Sequence, residues 1–144
     1  MSQRPDQKIV VAINKRLDPG PAINAAAHAM LGLYHSLGAA GGEDSLKVID
    51  YPTADESGFL ASALPLIVLV ATPAHLARLR RDLLLAGLPA VGFHQEMTGG
   101  HFEDQLARSA AQNSDDLELY AVATAGEATQ IDPLTRRCKL YQGG

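Results

Sequence analysis

From Pro19 to Gly42 the chain carries no Asp, Glu, Lys or Arg, although 19% of all its residues are charged. Most of this stretch reads as one long helix, and a helix without a polar face is covered on nearly all sides. It follows directly on the run Lys8-Ile9-Val10-Val11-Ala12-Ile13-Asn14. An almost wholly apolar strand is buried on both faces and so lies in the middle of a sheet. A central strand, a short loop and a covered helix begin an α/β layered fold.

The rest of the composition narrows the class. A chain of 144 residues fits one domain, here residues 8–144 behind a flexible tail at 1–7. Its apolar fraction of 47% is that of an ordinary soluble globular protein. A net charge of -4 argues against nucleic acid as a partner, because phosphate contacts need clustered Lys and Arg. Cys138 is the only cysteine, which excludes an intrachain disulfide and fits a reducing cytoplasm. The polar start Met-Ser-Gln-Arg-Pro-Asp-Gln lacks the apolar core of a signal peptide. Asn24, His28, His35 and Ser36 interrupt the charge-free stretch, so it is no membrane span.

Element by element, Pro21 suits a first helical turn, and helix one runs to about Leu37 before Gly38-Ala39-Ala40-Gly41-Gly42 ends it. Leu46–Tyr51 reads as a short edge strand and Pro52–Ser57 as the tip of a hairpin. Leu64–Ala71 is a second buried strand, followed by a helix with Thr72 as its cap and Pro73 at its first position. Leu76, Leu79, Leu83 and Leu84 form the apolar stripe of that helix, and Gly87 stops it. Ala90–Gln95 and Leu117–Thr124 are the third and fourth strands. Between them Met97–Asp116 is an insert with a short helix at His101–Ala111. One or two helical turns within Glu127–Thr135 and a short apolar end at Cys138–Tyr141 close the chain. This order predicts a mixed, mainly parallel four-stranded sheet with an extra hairpin.

At 100° per residue, helix one separates into stripes. Ile23, Met30, Leu33, Tyr34 and Leu37, with Ala26 and Ala27 beside them, form the side expected to face the sheet. Ala22, Ala25, Ala29, Gly32, Ser36 and Ala39 form a stripe of small residues, which lets another backbone come close. That stripe predicts a helix–helix contact, with another helix of this chain or with helix one of a second subunit, the two-fold axis of a homodimer being favoured. Asn24, His28, Leu31 and His35 line the flank between the two.

Helix one also carries a resemblance. A first strand at Lys8–Asn14, a loop with Gly20 and an Ala-rich helix with Ala27-His28-Ala29 resemble the peptidyl-tRNA hydrolase 2 superfamily. The run Leu17-x-x-Gly20-x-Ala22-x-Asn24-Ala25-Ala26-Ala27-His28 is more closely similar to a family of uncharacterised bacterial proteins within it, known as a domain of unknown function. The resemblance covers residues 8–42 and 64–125 and implies a peptidyl-tRNA hydrolase 2-like fold. The hydrolases have a Lys after the loop glycine, where this chain has Pro21. They have a Gln three residues before the His, where this chain has Ala25. After the third strand they have an acid and a small residue, where this chain offers Gln95-Glu96-Met97. The resemblance therefore implies the fold without the hydrolytic machinery.

Other constellations carry less. His94, Glu96 and His101 are metal-ligating residue types, but their spacing matches no tight metal motif, and no metal or cofactor is expected. Arg78, Arg80 and Arg81, with Arg136, Arg137 and Lys139, read as solvated basic faces. Arg137 and Lys139 beside Cys138 would favour its thiolate. Gly99-Gly100 lacks the Lys-Ser/Thr of a phosphate loop, and Ser57, Ser62 and Ser109 sit in no nucleophile elbow. The expectation is a small-ligand-binding or weakly hydrolytic protein with its site at the loop before helix one. Lys15, Asn24 and His28 would lie near Glu96 or Thr98. In a hydrolase, His28 would be the base and Lys15 the oxyanion partner. The alternatives are a peptidyl-tRNA or related ester hydrolase with a rebuilt site, and a non-catalytic dimeric interaction module.

Overall fold

The structure is a computed structural model that describes residues 6–39 and 45–143. The expected tail at 1–7 and the expected helix stop at residues 38–42 fall partly outside these. In chain order the elements are β1 (Gln7–Asn14), α1 (Pro19–Ala39), β2 (Val48–Pro52), β3 (Gly58–Ser62), β4 (Leu66–Ala71) and α2 (Pro73–Leu85). There follow β5 (Val91–His94), α3 (Phe102–Ala110), β6 (Leu119–Glu127), α4 (Ala128–Ile131) and β7 (Lys139–Leu140).

Five strands form one mixed sheet in the order β5-β6-β1-β4-β7, and β2 pairs with β3 in a separate hairpin. β1 is parallel to β4, while β6 is antiparallel to both of its neighbours and β7 is antiparallel to β4. β1, β4 and β5 thus run one way, with β6 inserted against them between β1 and β5. This corrects the expected mainly parallel, four-stranded sheet. A parallel return needs a crossover helix packed on the sheet. In the insert between β5 and β6 the one α-helix, α3, buries none of its residues against the sheet, so the chain turns back antiparallel. The short apolar end supplies the fifth strand, as Leu140 pairs with Leu69. The expected short strand at 46–51 and hairpin tip at 52–57 are found as β2 and its turn into β3.

β1 divides the core. Ile9, Val11 and Ile13 face α1, and Val10 and Ala12 face α2. α2 matches its sequence signals. Thr72 Oγ1 accepts from the His75 amide at 3.2 Å. Gly87, at φ +75, ends the helix with paired bonds from Gly87 N to Leu84 O and from Leu88 N to Leu83 O. Leu76, Leu79 and Leu83 are buried, whereas Leu84 turns outward.

α1 meets the expectation only in part: Leu33 is buried and Met30 and Leu37 pack against the core, but Ile23 and Tyr34 turn outward and small residues lead the contact. Its buried residues are Ala22, Ala25, Ala29 and Leu33, while Ile23 and Tyr34 are 65% and 58% exposed. Ala22, Ala25, Ala29 and Gly32 of the small stripe meet the sheet itself, where β6 presents Ala121, Ala123 and Ala125 and β5 presents Val91, while Ser36 and Ala39 are exposed. Alanine against alanine brings the helix axis close to the sheet, and that geometry leaves Ile23 and Tyr34 turned outward. The predicted helix–helix contact through this stripe is thereby corrected to a helix–sheet contact.

Candidate functional site

The C-terminal ends of β1 and β5 flank the start of β6, and the polar side chains of Asn14, Glu118, His94 and Ser109 gather there. Asn14 is buried at the end of β1. Its Nδ2 donates to Leu119 O at 3.1 Å and to Glu118 Oε1 at 3.3 Å, and its Oδ1 accepts from Arg16 N at 2.9 Å. It therefore ties strand, loop and β6 together, with both of its amide protons committed to that role. On the other side of Leu119, His94 is 7% exposed and its Nε2 lies 3.3 Å from Ser109 Oγ on α3. Burial lowers the His94 pKa, opposed by the nearby Glu96 carboxylate. A neutral imidazole beside a hydroxyl can take its proton. Among the described residues, however, nothing bonds to the buried Nδ1, so no third group orients the ring.

Glu96 and Thr98 come together through Arg108. The guanidinium donates to the Glu96 and Thr98 carbonyls at 3.5 and 3.0 Å and lies 3.7 Å from the Glu96 carboxylate. Gln112 donates to the same carboxylate at 2.9 Å. His28 is exposed and stacks on Phe93, with ring centroids 4.9 Å apart and planes 12° apart. Asn24 is exposed on α1. Lys15 lines a cleft with Val70, Lys139 and Tyr141 at the β4–β7 side, away from β5. No hydrogen bond or ion pair among the described residues joins Lys15, Asn24 or His28 to Glu96 or Thr98. No three His, Cys, Asp or Glu side chains among the described residues gather as metal ligands, and His101 stands exposed before α3.

A different feature has the dimensions of a binding site. One flank of α1, the side of β1 beneath it and the exposed start of β4 border a groove of about 530 Å³. Its walls include Ile23 and Met30 from α1, Val11 and Ile13 from β1, Leu66 from β4, and Tyr141. None of the residues lining it is charged.

A family model described as "Protein of unknown function (DUF2000)" matches residues 7–142. The chain belongs to the DUF2000 family. A solved structure of a protein of unknown function, Atu0240 from Agrobacterium tumefaciens str. C58, superimposes with a TM-score of 0.78 at 18% identity. The match covers 96% of this chain and 100% of that one, and it shows that the two share a fold. No curated protein matches the chain. Among the described residues of this DUF2000 protein, no helix is long and apolar enough to cross a membrane.

The groove has no counterpart among the sequence expectations, because apolar bulk alone places the large residues of α1 on the sheet. The alternation Ala121, Ala123, Ala125 marks instead the strand against which the small residues of α1 pack closely. The approach of Ser109 to His94 left no local signal, since it depends on α3 folding back over the end of β5.

Proposed function

We propose that this DUF2000 protein binds a small apolar molecule in the groove between α1 and the β1–β4 surface. The observation that carries the reading is the groove itself: about 530 Å³, lined without a single charge. Small-molecule sites are concave, largely apolar and roughly 300–1,000 Å³ in volume. The charge-free sequence of α1 supports it, because a helix flank beside such a pocket has no use for solvated groups. A place within the peptidyl-tRNA hydrolase 2-like superfamily is part of the same proposal, supported by the strand–loop–helix pattern at residues 8–28. So is a cytoplasmic location, supported by the lone cysteine. The proposal is of binding without hydrolysis. His28 rests on Phe93, Lys15 lies toward the opposite edge of the sheet, and the Ser109–His94 pair lacks an orienting carboxylate. Peptidyl-tRNA turnover is accordingly expected to be absent or very weak.

One observation favours a second reading, a homodimer closed over the same face. Ile23, Leu31 and Tyr34 are each more than half exposed on a helix with no charged residue. Large exposed apolar patches mark interaction surfaces. Titration with a fluorescent fatty acid, read together with light scattering, separates the two. The ligand reading expects saturable binding to a monomer, abolished by Met30→Arg. The dimer reading expects a wild-type dimer that ignores the probe and that Met30→Arg splits. Saturable binding unchanged by Met30→Arg would remove the groove from both.

A further inference from the structure

Two basic runs that lie far apart in the sequence meet on one concave surface. Arg78 of α2 and Arg136 and Arg137, just before β7, line a cleft of about 260 Å³ between the helix and the C-terminal segment. His75 and Asp82 complete its polar wall, and Leu79, Pro133 and Leu134 supply an apolar one. The chain as a whole has a net charge of -4, so three guanidiniums around one cleft run against its composition. Among the described residues, no carboxylate lies within ion-pair distance of any of the three.

We infer that this cleft binds a small phosphomonoester, the phosphate held by Arg78, Arg136 and Arg137 and the body of the molecule resting on Leu79 and Leu134. The charges fit that class. Three guanidiniums and one carboxylate leave two positive charges, and a phosphomonoester carries close to two negative charges at neutral pH. The planar guanidinium also grips phosphate oxygens in pairs, which a lysine does not. Cys138, in the same wall, adds no competing negative charge, because burial raises its pKa and keeps it a thiol. The concave shape and the apolar wall favour a small molecule with a compact body. The acidic balance of the remaining surface opposes a long polyanion.

Calorimetric titration of the full chain with phenyl phosphate tests the inference. One site per chain is expected, with a dissociation constant of about 1 mM or tighter, and weaker binding of inorganic phosphate, which has no body to rest on the apolar wall. The double variant Arg78→Gln/Arg137→Gln is expected to lower the affinity at least about tenfold while leaving the thermal midpoint in place. Asp82→Asn reads out the opposite sign: removing the one carboxylate tightens binding. Absence of saturable binding, indifference to the arginine changes, or unchanged or weaker binding in Asp82→Asn would overturn the inference. So would a single-stranded oligonucleotide that binds far more tightly and with steep salt dependence, for then the surface serves nucleic acid.

Discussion

A Cβ placed on Gly32 of α1 would lie 2.6 Å from Cγ1 of Val91 on β5. The glycine is what lets the helix lie this close to the edge of the sheet. Gly32→Ala removes about 1 kcal/mol of intrinsic helix penalty, yet it inserts a methyl group into occupied space. Overpacking of this kind costs about 1–3 kcal/mol. Chemical denaturation is expected to show net destabilisation in Gly32→Ala and recovery when Val91→Ala is added. A Gly32→Ala variant as stable as wild type, or one that Val91→Ala does not relieve, would contradict the contact.

His94 makes stability depend on pH. Burial holds its pKa below the ordinary value of 6.5 in the folded chain. As pH falls below 6.5 the unfolded chain takes up a proton that the folded chain still refuses. The unfolded state then binds more protons, and stability declines until the folded state protonates as well. In denaturant melts at about pH 7 and about pH 5, wild type should lose more stability than His94→Gln. Parallel losses in the two proteins would show that His94 is not the group responsible.

Cys138 is expected to be sluggish toward thiol reagents. Arg137 and Lys139 flank it in sequence, but burial dominates and raises its pKa. The thiolate is the reactive species. Alkylation by iodoacetamide near neutral pH should run slower than for free cysteine. A faster rate would mean that the basic neighbours win after all.

Gly87 holds a left-handed conformation at φ +75, where a Cβ adds strain even though nothing crowds the position. Gly87→Ala should destabilise the protein by about 1–2 kcal/mol, and Gly87→Asn by less, since Asn tolerates that region better. Equal stability of all three proteins would mean that the end of α2 adjusts at no cost.

Local signals were read well from the sequence, and long-range choices less so. Thr72, Pro73 and Gly87 announce both ends of α2 because capping is chemistry between near neighbours. The hairpin around Pro52–Ser57 was legible for the same reason. The facing of α1 was not, because apolar bulk alone favours Ile23 and Tyr34 as the buried side. What decides the matter is the depth of the partner surface, set by β6 a hundred residues downstream. The candidate site suffered likewise. Glu96 and Thr98 do meet, but through Arg108, whose approach depends on where α3 lies. His28 finds Phe93, which no spacing rule connects to it.

The insertion of β6 between β1 and β5 also governs when this chain is able to fold. Asn14 and Leu119, bonded at the end of the sheet, stand 105 positions apart. Until β6 has been synthesised, β1 and β5 have no strand between them, and the alanine surface that receives α1 does not exist. A nascent chain that stops short of Leu119 presents an unpaired β1 edge and a bare, charge-free helix, both open to wrong partners. The protein is therefore committed to folding late in its own synthesis, and truncations before residue 119 should accumulate as aggregates.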